Sequence, residues 1–253
     1  MKRPAEPLLI VNADDFGQSH GINRGIVRAH ERGIVTSASL MVRWPDVAEA
    51  AAYARSHPRL SVGLHVDLGE WRHDGGDWQP IYTVVDCRDR TAVIAEVQRQ
   101  FEAFRQLVGR DPTHLDSHQH VHRDEPVRSA MQRLAARLGV PLRHYTAHVA
   151  YCGSFYGQTG TGQPLPDALT VQTFLLILKR LSAGATEVGC HPAEALDGLT
   201  TMYRNERLLE TQVLCDPRLR QALEHRGVRL GSFHDIAERQ GIQSRATLRS
   251  RRS

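Results

Sequence analysis

The chain has 253 residues, 41% of them apolar and 24% charged, an ordinary globular balance with room for one barrel-sized domain. No apolar run approaches the ~20 residues that cross a bilayer, so a membrane-spanning helix is excluded; Cys87, Cys152, Cys190 and Cys215 form no C-x-x-C pair, which speaks against a thiolate zinc cluster or a disulfide framework. The formal charge of +4 collects in residues 239–253, which hold Arg239, Arg245, Arg249, Arg251 and Arg252 and no acid, so no specific nucleic-acid partner is expected and this basic tail reads as a disordered, solubilising end.

In chain order, strand and helix signals alternate. The start, MKRPAEPLLIV, lacks a signal peptide's apolar region and cleavage site, which makes the cytoplasm the expected compartment. PLLIVNA (7–13) is a predicted strand, and Asp14 and Asp15 follow it in NADDFG. A helix opens after Ser19 and stops at Gly33, a capping pattern at both ends. VTSASLMV (35–42) is the second strand, Pro45 and Asp46 open the second helix, and LSVGLH (60–65) is the third strand, ending in His65. Residues 69–89, rich in Gly, Pro and aromatics, read as a long loop. Val93, Val97, Phe101, Phe104 and Val108 mark a helix that ends at Gly109. THLDSH (113–118) is a strand carrying Asp116 and His118, then come a helix from Glu125, a strand VPLRHY (140–145) and a second long loop (152–167). A helix from Asp167, the strand ATEVGCH (185–191) with His191 at its end, two helices from Tyr203 and Asp216, and the strand GVRLGSF (227–233) complete the pattern.

This alternation predicts one α/β domain over 1–238 with about seven mainly parallel strands. Four distant segments then place ionisable residues at strand carboxyl ends, which share one face of such a sheet. One carboxylate and two imidazoles, Asp15, His65 and His118, suit a divalent ion with positions left for water and substrate. Asp14 beside them can serve as the base toward a metal-activated water, and His191 as the acid that protonates a leaving group. A strand continuing past Ser117 would give Asp116, His118, His120 and His122 one face. A single ion cannot use all four, so Asp116 is expected to orient a neighbouring ligand, and His120 and His122 to line the pocket. The mixed oxygen and nitrogen set admits Mg²⁺ or Zn²⁺, with Mn²⁺ and Fe²⁺ also compatible.

Two other enzyme classes compete. His65, Asp67 and His118 can be read as the facial triad of a non-haem iron oxygenase, a reading that leaves Asp14, Asp15 and His191 without work. A thiol hydrolase would pair Cys190 with His191, yet adjacent strand residues point to opposite faces.

From LLIVNADDFGQSHGIN (8–23) through TSASLMV, GLHVDL and THLDSHQHVH to GCHPAE and YRNERLLETQVLCDPRLRQAL (203–223), the chain resembles the YdjC-like carbohydrate deacetylases, the group that includes ChbG and HpnK. The resemblance implies a deformed (β/α) TIM-like barrel that removes the N-acetyl group from an amino sugar, chitooligosaccharide-like or lipid-linked, with a homodimer as the usual state. It also implies Asp15, His65 and His118 as metal ligands, Asp14 as base and His191 as acid. Trp71 and Trp78 in the 69–89 stretch are candidates to stack on a sugar, and Arg204 to contact an anionic group or to form a salt bridge at its helix start.

Overall fold

The computed structural model describes residues 6–236; the basic stretch 239–253 lies outside the described residues. In chain order the elements are β1 (Leu8–Phe16), α1 (His20–Glu31), β2 (Ser37–Leu40), α2 (Val47–Ser56), β3 (Ser61–Val66), β4 (Gly69–Asp74), β5 (Asp77–Thr83), α3 (Arg90–Val108) and β6 (Leu115–Ser117). There follow α4 (Val127–Leu138), β7 (Val149–Cys152), α5 (Val171–Arg180), β8 (Ala185–Cys190), α6 (Asn205–Leu214), α7 (Pro217–Arg226) and β9 (Arg229–Gly231).

The main sheet runs β6-β3-β2-β1-β8-β7, with β9 also against β1, and its pairings are parallel. Parallel strands need long crossovers, and the helices that supply them cover the sheet. That is why β1 and β3 are buried at every position rather than at alternate ones. Local chemistry sets the helix ends. Ser19 Oγ accepts from Ile22 N at the start of α1, Asp89 accepts from Thr91 N and Ala92 N at the start of α3, and Gly109 closes α3 at φ 78. The α3 stripe of Val93, Val97, Phe101, Phe104 and Val108 is buried in the main core with Phe16, Ile22, Leu64 and Phe174. Each fully buried side chain of this size contributes roughly 1.5–3 kcal/mol.

The sheet is a curled, deformed barrel that stays open between β6 and β7. The predicted strand at 140–145 does not form. That segment makes one bridge, Leu142 to Leu115, because Pro141 has no N–H to give a ladder and the chain turns at His144, φ 68. The strand in its place is β7. The 69–89 stretch is likewise no plain loop. β4 and β5 pair as an antiparallel hairpin, and its turn residues Gly75 and Gly76 sit at φ 59 and φ 96, the left-handed pair that a two-residue hairpin turn requires. Finally, the strand that carries Asp116 ends at Ser117. Gln119 (φ 48) and His120 (φ 54) turn the chain into a short 3-10 segment, His118–Arg123, so His118, His120 and His122 do not share a strand face with Asp116.

Candidate active site

Because β1, β3, β6 and β8 run in one direction, their carboxyl ends deliver Asp14 and Asp15, His65, Asp116 and His118, and His191 to one end of the sheet. Two adjacent residues of a regular strand would point to opposite faces. Here the β1–β2 register shifts between Ala13 and Phe16 and Asp15 stands at φ 66. This bulge turns both carboxylates into one cavity.

Asp15 Oδ1 lies 3.3 Å from His65 Nε2 and accepts from His118 Nδ1 at 3.1 Å. Its Oδ2 accepts from Arg207 Nη2 at 2.6 Å. His65 Nδ1 donates to Asp116 Oδ1 at 2.7 Å, which fixes the ring with Nε2 toward Asp15. Asp116 Oδ2 in turn accepts from Ser39 Oγ at 2.6 Å and forms an ion pair with Arg143 Nη2 at 2.8 Å. Asp14 is held by two Arg143 nitrogens, at 2.7 and 2.8 Å, and by Asn12 Nδ2 at 2.8 Å. His191 Nε2 stands 3.8 Å from Asp14 Oδ2, and its Nδ1 is 3.9 Å from Glu210 Oε1. Glu210 also accepts from the His191 backbone N–H and the Tyr203 hydroxyl.

The charges follow from these contacts. Burial alone would raise the Asp14 and Asp15 carboxyls; the Arg143 guanidinium beside Asp14, and Arg207 with His118 beside Asp15, override it and hold both below the usual range. Burial alone would lower His65, but Asp116 and Asp14 raise it to about 9; Asp15 likewise lifts His118 against its burial. Burial wins at His191, which falls to about 4, and at Glu210, which rises to about 8.

The donor set fits a divalent ion. Asp15, His65 and His118 form a compact buried group of potential ligand atoms, and His118 Nε2 is buried without a hydrogen-bond partner. Once His65 and His118 give up their protons as ligands, the carboxylates kept ionised around them, Asp14, Asp15, Glu70 and Asp116, outnumber the buried guanidiniums Arg143 and Arg207, so the local field favours a cation.

The cavity above these groups is about 770 Å³ and is lined by Asp14, Asp15, His65, His118 and His191, by Trp71 and Trp78 of the hairpin, and by Tyr156 and Tyr203. Gln119 ties the hairpin in place, accepting from Trp71 N and donating to Trp71 O. Other expected residues lie elsewhere. His120 lines the cavity but His122 does not; its Nδ1 is 2.6 Å from Ser117 Oγ in the interior. Arg204 is exposed and outside the cavity lining, one turn before Arg207, which is the arginine of that stretch at the site. The oxygenase triad does not assemble, because Asp67 faces away and accepts from Tyr82 Oη at 2.9 Å and Trp44 Nε1 at 3.2 Å. Cys190 is buried, its thiol pushed well up by burial and donating to Asn12 O at 3.3 Å.

Sequence reasoning missed Glu70, Arg143, Arg207 and Glu210. Arg143 left one readable signal, a lone guanidinium inside an apolar run. Glu70 is buried on β4, its Oε2 3.6 Å from His118 Nε2.

A chitooligosaccharide deacetylase of Serratia marcescens is 35% identical over 259 residues, covering 91% of this chain and all of that protein. A carbohydrate deacetylase of Geobacillus stearothermophilus is 35% identical over 247 residues, covering 90% of this chain and 97% of that one. Among solved structures, a protein of Enterococcus faecalis with the provisional name cellobiose-phosphate cleavage protein superposes with a TM-score of 0.72 at 25% identity, covering 92% of this chain and 99% of that chain. Residues 8–225 match the family described as YdjC-like protein, and the chain belongs to that family.

Proposed function

We propose that the protein removes the N-acetyl group from an acetylated amino sugar of chitooligosaccharide type, by metal-dependent hydrolysis. On this reading it is a hydrolase of amide bonds, a carbohydrate deacetylase. One observation carries the reading: Asp15, His65 and His118 meet beside Asp14 and His191 on the floor of one cavity. The names of the relatives support the substrate class.

Asp15, His65 and His118 would hold the ion, Mg²⁺ or Zn²⁺ with Mn²⁺ as a further option. When bound, it would polarise the acetamide carbonyl and acidify a water. Asp14, ionised and fixed by Arg143, takes the proton of the attacking water. His191 enters neutral at pH 7, since burial holds it at about 4. The proton it gives to the departing amine is therefore acquired during the reaction, and Asp14, 3.8 Å away, is the source. Trp71 and Trp78 provide apolar faces for the sugar rings. The cytoplasm is the compartment proposed, on the evidence that the four cysteines are unpaired.

The test is acetate release from diacetylchitobiose and longer acetylated oligomers by chelator-stripped protein, with Mg²⁺, Zn²⁺ or Mn²⁺ restored singly. Acetate that appears only with a restored ion is the expected result. Full activity in the stripped protein, or none with any ion, overturns the reading.

A further inference from the structure

A second group of potential ligands lies outside the set just described. His120 and His122 on the 3-10 segment and His144 on the stretch after Pro141 each offer a ring nitrogen, and these atoms fall within 4.8 Å of one another. His144 Nε2 stands 3.2 Å from His120 Nδ1. Two bonds of about 2.0–2.1 Å at a tetrahedral angle place their nitrogens about 3.3 Å apart, so this pair already has the spacing of two ligands on one ion.

The third ring is held at both of its nitrogens. His122 Nδ1 lies 2.6 Å from Ser117 Oγ, and the same oxygen accepts from the His122 backbone N–H at 3.1 Å. With Nε2 donating to a carbonyl, Nδ1 accepts from the Ser117 hydroxyl; moving the ring proton to Nδ1, where Ser117 Oγ can accept it, frees the Nε2 lone pair for a metal. Nε2–H donates to the Arg143 carbonyl oxygen at 3.2 Å, a bond that an ion on Nε2 would replace.

Backbone geometry adds to this. His120 (φ 54) and His144 (φ 68) are both left-handed, a conformation unfavourable for a residue with a Cβ. Strain of this sort persists where the surroundings over-determine a position, often at ligand sites. Arg143 lies nearby, but its guanidinium is bound to Asp14, Asp116 and Glu187. His144 is exposed and gives an ion access from solvent. Burial lowers His122 to about 4, which leaves its ring neutral at pH 7.

We infer that His120, His122 and His144 form a second metal site, all imidazole, selective for borderline transition ions such as Zn²⁺ over Mg²⁺. The absence of a carboxylate from the set gives that selectivity. An ion there joins the 3-10 segment to the 141–148 stretch across the open side of the barrel. Since His120 also lines the substrate cavity, the ion sits at its rim.

The experiment counts Zn²⁺ equivalents by calorimetry on tag-free, chelator-stripped protein held in excess Mg²⁺. The variants are His144→Asn, which tolerates a left-handed backbone, His65→Ala, and the two combined. Two equivalents in the wild type, one in each single variant and none in the double variant support the site. Co²⁺ should give the absorption of a nitrogen-rich tetrahedral complex in His65→Ala and lose it in the double variant. A His144→Asn protein of unchanged circular dichroism that binds as many Zn²⁺ ions as the wild type overturns the inference. So does a wild type whose one equivalent needs His65 and not His144.

Discussion

Asp14 meets two demands that oppose one another. A base works best when its pKa lies near the working pH, yet Arg143 stabilises the ionised form and holds the carboxyl low. The gain is position: two parallel N–H bonds fix the carboxylate beside Asp15 and within 3.8 Å of His191. Asp14→Asn keeps the shape and loses the proton acceptor. It should bind the ion as the wild type does while kcat falls by about 10²–10⁴, whereas His118→Ala should lose the ion itself; equal metal loss in both, measured by elemental analysis, would sink this division of roles. Arg143 belongs to the same argument. It is fully buried among Asp14, Asp116 and Glu187, and Arg143→Met leaves these carboxylates without their countercharge. Removing one partner of a buried ion network costs about 3–5 kcal/mol, so the variant should show a loss of that size in urea unfolding. A loss below 1 kcal/mol would mean that the network is not what holds this end of the sheet.

The elements that shape the cavity differ in what holds them. β1 and β3 are locked into the sheet on both sides, whereas the β4–β5 hairpin stands apart as its own two-stranded sheet, joined to the floor through Gln119. Trp78 near its tip is 47% exposed and lines the cavity from the hairpin, not from the strand ends that carry the catalytic groups. Trp78→Ala should therefore raise KM for oligomers about tenfold with little change in kcat, the pattern of lost uniform binding; a fall in kcat at constant KM in steady-state kinetics would contradict it. The helices were legible because caps and stripes are local: Ser19 opens α1 and Gly109 closes α3 where their chemistry says they should. The strand-end residues were legible because a βα alternation fixes chain direction. VPLRHY misled because it has strand composition, but a buried guanidinium there must reach carboxylates on three strands, which no local window records. The hairpin was hidden by its charges, although Gly75-Gly76 between two polar-apolar runs was its signal. Arg207 and Glu210 could not be found from spacing, since a surface-like charged helix, α6, turns one face inward only in the tertiary fold.

At the scale of the whole molecule, buried histidines of opposite tendency set how stability depends on pH. Burial lowers His114, His122 and His191 to about 4 each. An unfolded chain binds protons at these rings from pH 6.5 downward while the folded one does not, so stability is lost as pH falls from 6.5 toward 4. For His114 alone the gap of roughly 2.5 units corresponds to about 3 kcal/mol. His65 has the opposite sign. Raised to about 9 by Asp116 and Asp14 against its burial, it contributes stability below 6.5 that is lost as pH climbs through 9. Glu187 and Glu210, raised by burial to about 7 and about 8, also favour the folded state at low pH, and their contribution is gone by pH 8. Between 4.5 and 6.5 the lowered histidines outnumber these two carboxyls, and above 6.5 every one of these remaining slopes is downward. The metal-free protein should therefore be most stable near pH 6.5, with unfolding free energy falling on both sides. Ligation requires His65 and His118 to shed their protons, so a divalent ion should stabilise the protein more at pH 8 than at pH 5.5. Urea unfolding across this range, with and without the ion, reads both effects. A stability that rises steadily to pH 9 without metal, or an ion effect larger at pH 5.5, would show that His65 does not carry the proton its carboxylate neighbours imply.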